Sequence, residues 1–195
     1  MKKETEQASA GLPAHEYYFL VKLPARYTMR IGLLSDTHSF YEPRLDAYLA
    51  EVDEIWHAGD IGDRSVIEQL EKHKPVRAVY GNIDDAAARA QWPEDLWLEI
   101  NGLTIWMTHI AGAPPGFNSR VKNQLTKRQP HVLICGHSHI CRVHKDEVTG
   151  LIYLNPGAAG NHGFHRTKTM MRFTIDGGKL YQLEVIELGK RGSLP

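Results

Sequence analysis

From residue 29 onward, short apolar runs alternate with segments of helical period. "RIGLLS" (30–35), "EIWHA" (54–58) and "VRAVY" (76–80) have strand length and little polar interruption. Between them, "EPRLDAYLAEV" (42–52) spaces Leu45, Tyr48, Leu49 and Val52 as a helix face does, with Pro43 suited to a first turn. "RSVIEQLEKH" (64–73) places Val66, Ile67 and Leu70 on one face. Strand, helix, strand, helix, strand with short connections predicts parallel strands covered by helices.

The pattern then changes. "LWLEIN" (96–101) and "LTIWMT" (103–108) flank Asn101-Gly102, a strong hairpin dipeptide. A Gly/Pro-rich loop leads to a helix expected near 117–128, then the apolar strand "HVLIC" (131–135). Two more hairpins are expected, over 140–155 turning at Thr149-Gly150, and over 169–188 turning at Asp176-Gly177-Gly178. One α/β domain is expected over 29–195, with parallel strands in its N-terminal part and antiparallel pairs in its C-terminal part. Residues 1–28 read as an N-terminal extension. Its "YYFLVKL" is open to three readings: a short strand, a packed arm, or a segment foreign to the domain.

Composition narrows the function classes. Lys plus Arg and Asp plus Glu are 23 each, so the formal charge is zero. That removes the electrostatic argument for a general binder of nucleic acid or anionic membranes, although a local basic patch leaves nucleic acid open. No apolar run approaches the ~20 residues of a membrane helix. Two cysteines and no signal-peptide pattern point to a reducing, cytoplasmic setting with free thiols. A homo-oligomer is compatible with the sequence, which does not specify one.

The chemistry gathers at the strand ends. After the first strand comes Asp36-Thr-His38, and after the second Gly59-Asp60 with Asp63 behind it. Gly81-Asn82-Ile83-Asp84 follows the third, His109 follows "LTIWMT", and Gly136-His137-Ser-His139 follows "HVLIC". In an open α/β sheet such ends converge where ligands bind. Carboxylate, amide and imidazole donors suit Mn, Fe, Zn, Ni or Co. Seven of them exceed what one tetrahedral zinc takes and are enough for two ions sharing a carboxylate. Capping explains the carboxylates but not the histidines. Asp63 and Asp84 read as helix caps or partners of a histidine. His57 reads equally as a partner of the site or as a satisfied half-buried histidine. Cys135 reads as a core residue, and Cys141 and His144 as strand residues.

This ordered set, "DTH", "GD", "GN", a lone His and "GHSH", with "NPGA" at 155–158, resembles the calcineurin-like metallophosphoesterases, in particular their compact bacterial and archaeal phosphodiesterases. The resemblance implies a layered sheet sandwich flanked by helices. It implies one metal on Asp36, His38 and His139, a second on Asn82, His109 and His137, and Asp60 between them, manganese being the first expectation. It implies hydrolysis of a small phosphate ester by a hydroxide held between the ions, with Asn82 orienting the phosphoryl group. Many superfamily members carry a proton-donating His where this chain has Ile83, a departure that the compact subfamily shares. His162 and His165 in "GNHGFHR" are the substitute donors to consider, with Arg166 as a phosphate contact. The same fold also resembles a eukaryotic retromer subunit, and a non-enzymatic scaffold is therefore the rival reading.

Overall fold

A computed structural model of the protein describes residues 16–20 and 28–192. In chain order the strands and helices are β1 (Glu16–Leu20), β2 (Met29–Leu34), α1 (Leu45–Leu49), β3 (Glu54–His57), α2 (Ser65–Glu71), β4 (Val76–Ala78) and α3 (Ala86–Gln91). They continue with β5 (Asp95–Ile100), β6 (Leu103–Thr108), α4 (Ser119–Arg128), β7 (Val132–Ile134), β8 (Cys141–Lys145), β9 (Ile152–Pro156), β10 (Thr167–Asp176) and β11 (Lys179–Lys190).

The strands form two sheets. One runs β11-β10-β2-β3-β4 and the other β1-β5-β6-β7-β9-β8. In the first, β2, β3 and β4 are parallel, while β10 joins β2 and β11 antiparallel. In the second, β5–β6 and β8–β9 are antiparallel, while β6, β7 and β9 are parallel to one another. The C-terminal part therefore adds two parallel pairs to the hairpins its sequence announces. Part of the N-terminal extension enters the second sheet, because β1 lies parallel to β5 at its edge. The rest of residues 1–27 lies outside the described residues.

The central strands of both sheets are covered on both faces, which explains why they read as unbroken apolar runs, while β8 and β11 at the edges stay largely exposed. Ile31 and Leu33 of β2, Trp56 of β3 and Phe173 of β10 meet Leu98, Ile105, Val132 and Leu154 of the other sheet in the central core. Leu34 and Ile55 turn the other way, onto Leu45 and Leu49 of α1 and Val66, Ile67 and Leu70 of α2. Trp97, Trp106, Leu133 and Tyr153 cover the outer face of the second sheet beneath Val121 of α4. The result is four layers: helices, sheet, sheet, helix. The predicted first helix is cut to five residues, and Val52 joins the same core cluster from the segment that follows it. Asp85, not Asp84, caps α3, its carboxylate accepting the Ala88 N–H at 2.9 Å.

Candidate metal centre

β2, β3 and β4 end at the same end of the sandwich as β6 and β7, so loops from both sheets meet there. Ligand-type atoms gather in two groups, Asp36 with His38 and His139, and Asp60 with His109 and His137; within each group they lie within 4.8 Å of one another. Each group draws on both sheets. Asp36 and Asp60 follow strands of the first, and the imidazoles of His109, His137 and His139 follow strands of the second.

The local backbone is held in an unusual form. Asp36, His38, Asp60, His137 and His139 all have left-handed φ, between 47° and 66°. Each such residue costs on the order of 1–3 kcal/mol, and such strain concentrates at functional sites. Cross-loop bonds hold it in place. Asp36, His38 and Ser39 donate their N–H groups to the carbonyls of Gly59, Asp60 and Ile61 at 2.9–3.0 Å, and Gly136 donates to His109 O at 3.0 Å. Gly136 is required by close approach, since a Cβ there would overlap Ser35 Oγ and come within 2.8 Å of Asp36 Oδ2.

The polar atoms face one another in a way that fits cations. The His38 and His139 Nε2 atoms are 3.3 Å apart, and His139 Nε2 is 3.2 Å from Asp36 Oδ1. Asp60 presents Oδ2 to His38 Nε2 at 3.5 Å and Oδ1 to His109 Nε2 at 3.2 Å, one oxygen toward each group. His109 Nδ1 is 2.7 Å from Ala58 O and so carries the proton. In the neutral ring Nε2 is then a bare lone pair aimed at a carboxylate, and it is buried without a hydrogen-bond partner. Three imidazole Nε2 atoms and two buried carboxylates crowded together call for positive charge, which divalent ions would supply.

Protons supply it in their absence. Burial opposes charge on His109, but the bond its Nε2 would donate to Asp60 once protonated and the fields of Asp36 and Asp60 outweigh this and raise its pKa. The bond to Asp36 raises that of His139 against burial. Burial dominates at His38 and lowers its pKa. Asp60 is also penalised by burial, yet His109, the Ile83 N–H and His38 together hold its pKa below the usual value.

Asn82 is exposed where two cavities meet, of about 510 and 460 Å³. One is lined by His38, Asp60, His137, His139, His162 and Phe164 among others, the other by Tyr80, Arg89, His109, Ile110 and Arg120 among others. His162 lies over His38, ring centroids 4.6 Å apart. His165 sits beside His139 and outside both linings, its Nε2 3.0 Å from Gly160 O, and burial lowers its pKa. Arg166 lies outside both linings as well.

Supporting residues hold these loops, and two of them, Arg89 and Asn155, escaped sequence reasoning. Arg89 donates to Asn82 O at 3.1 Å and Asp84 O at 2.8 Å, fixing the turn that presents Asn82. Asp84 accepts the N–H groups of Gly62 and Gly81, joining two loops. Asp63 accepts the Ser65 N–H at the start of α2. Buried Asn155 donates to Gly136 O and Ser138 Oγ at 2.8 and 3.1 Å. The only signal for it was the segment "NPGA". His57 is fully buried rather than half-buried. Cys135 is a core residue that belongs to neither ligand group; its thiol bonds Tyr153 OH at 3.0 Å and burial pushes its pKa up to about 12, while Cys141 and His144 lie on β8.

The chain belongs to the calcineurin-like phosphoesterase superfamily, whose domain it matches over residues 29–178. It is 30% identical over 167 residues to a Methanothermobacter thermautotrophicus protein named "Probable metallophosphoesterase", covering 83% of this chain and 94% of that one. Two solved structures share the fold. One, described as a novel archaeal phosphodiesterase, has a TM-score of 0.62 at 22% identity over 82% of this chain and 99% of its own. The other, Vps29 of Entamoeba histolytica complexed with zinc, has a TM-score of 0.63 at 17% identity over 83% of this chain and 100% of its own. Among the described residues, no helix is long and apolar enough to cross a membrane.

Proposed function

We propose that the protein is a metal-dependent phosphodiesterase that uses two divalent ions, one in each ligand group. Asp60 carries this reading, because its two oxygens face the two groups separately, as a shared carboxylate would. Asp36, His38 and His139 would hold one ion, and Asn82, His109 and His137 the other. Bound ions of this kind supply a water acidic enough to act as nucleophile at neutral pH and the charge that stabilises an in-line displacement at phosphorus. Manganese is the first choice, since the donors are oxygen and imidazole and neither group contains a thiol.

The residues of the chain do the rest. Asn82, braced by Arg89, stands where its amide can donate to a phosphoryl oxygen. His162 lies at the rim of the same cavity, where an imidazolium can give its proton to a departing oxygen. Ile83 cannot, so substrates whose leaving group is stable as an anion are favoured. The two cavities on either side of Asn82 favour a diester, which has two organic groups to accommodate, over a monoester, which has one. The scaffold reading has no comparable support, because every ligand position is filled by a residue able to bind metal.

The test is to load metal-free protein with Mn, Fe, Co, Ni or Zn and compare bis(p-nitrophenyl) phosphate with p-nitrophenyl phosphate. Faster diester hydrolysis is expected. Asp60→Asn should lower bound metal below two ions per chain and reduce kcat/KM by roughly a hundredfold or more. Protein carrying two ions that hydrolyses neither ester with any of the metals would overturn the reading.

A further inference from the structure

Of the eight large hydrophobic residues exposed among the described residues, four cluster at the site. Ile83 follows Asn82, Ile110 follows His109, Ile140 follows His139, and Phe164 belongs to the loop over His38 and His139; all four are exposed. Phe164 is 100% exposed and Ile83 44%, and both line the cavity that contains His38, Asp60 and His139. A phenylalanine wholly in water forgoes a large hydrophobic gain, which calls for an explanation when it stands at a polar site.

The loop that carries it is anchored. Gly160 N–H donates to Asp36 O at 3.1 Å, Asn161 Oδ1 accepts the Gly192 N–H at 2.9 Å, and Arg191 Nε donates to His165 O at 2.9 Å. Gly163, with φ 113°, rests so closely on the His139 ring that a Cβ would overlap it. Phe164 is therefore presented at the site by a fixed turn, and Arg191 lines the same cavity.

We infer that this cavity is a subsite for a planar aromatic group of the ester, held against Phe164 and Ile83 with Arg191 beside it. The inference rests on the phosphoester reading above and adds a substrate class to it: phosphate esters bearing an aryl group or a nucleobase. Aromatic rings prefer to pack on one another, and a guanidinium adds attraction to a π face. A cavity of about 510 Å³ is of the size that small ligands occupy. Because these side chains line a hollow containing ligand-type residues, they suit a small ring better than the plane of a membrane.

Calorimetric binding of phenyl phosphate, adenosine 5′-monophosphate and methyl phosphate to the manganese-loaded protein tests it. One or both aromatic esters should bind about tenfold more tightly than methyl phosphate, and which of them does separates an aryl from a nucleobase site. Phe164→Ala should remove the difference and Phe164→Tyr should keep it, with metal content and methyl phosphate binding unchanged in both. Equal binding of all three esters, or a preference that survives Phe164→Ala, overturns the inference. So does a Phe164→Ala protein that keeps the preference but no longer sediments with anionic phospholipid vesicles. Binding is read apart from turnover. Failure here with hydrolysis intact removes only the aromatic subsite, and the expected binding without hydrolysis removes only the catalytic reading.

Discussion

Beneath the site, Thr37 and His57 hold the first loop. Gly59 N–H donates to His57 Nδ1 at 3.2 Å, so the ring proton is on Nε2, 3.0 Å from Thr37 Oγ1. The Thr37 hydroxyl in turn donates to Ile61 O at 2.9 Å. Burial drives the His57 pKa down to about 4, against the fields of Asp84 and Asp36. The unfolded chain then binds the proton that the folded one refuses, and stability falls as pH drops from about 6.5 towards 4. His57→Leu should cost ~1–3 kcal/mol at pH 7.5 by stranding buried polar partners. Urea unfolding of metal-free protein should find a smaller deficit at pH 5, where only the wild type carries the protonation penalty. His109 and His139 behave in the opposite sense. Their pKa values are raised, so protons compete with metal as pH falls. Proton release on adding manganese in weak buffer should increase from pH 8.5 to 6.5, and a pH-independent release would count against these two residues as ligands. At this scale the ligand types were readable, because a carboxylate or imidazole beside a glycine at a strand end is conspicuous. The roles of His57, Asp84 and Asn155 were not, because each is defined by a partner some 20 residues away.

The central strands were legible at the element scale for a simple reason: burial on both faces makes a continuous apolar run. Their ends were predicted to within a residue or two, where turns such as Asn101-Gly102 and Gly177-Gly178 need left-handed backbone. Helix α3 was harder to read. None of its residues is buried, so no apolar stripe marks it. The turn between β7 and β8 depends on a neighbouring strand, since Asn155 of β9 bonds Gly136 O and Ser138 Oγ and also accepts the Gly157 N–H. Asn155→Ala should destabilise the protein by ~1–3 kcal/mol and weaken metal binding about 10–100-fold, by freeing the segment that carries His137 and His139. Competition with a chromophoric chelator measures the affinity, and an unchanged value would mean that the turn holds its shape without this bond.

For the whole molecule, the centre joins the two sheets. Each ligand group takes a carboxylate from one sheet and at least one imidazole from the other. Metal bound there should stabilise the sandwich as a unit. At a hundred times Kd, each independent site adds about 2.7 kcal/mol, or roughly 5–10 °C in Tm for a chain of this size. Scanning calorimetry with manganese and then with excess chelator should record the rise and its reversal, and Asp60→Asn should lose most of it. Sequence alone determined the residue types, their order and the strand ends that bear them, because those depend on local pattern. It could not divide the strands between two sheets, since an apolar run is the same whichever sheet it joins. Local pattern did not separate His137 from His139, two residues apart, into different groups, which only the family resemblance implied, nor did it bring Phe164 and His139 to one cavity. Those outcomes came from sheet packing and left-handed turns, whose hydrogen bonds span up to about a hundred residues of chain.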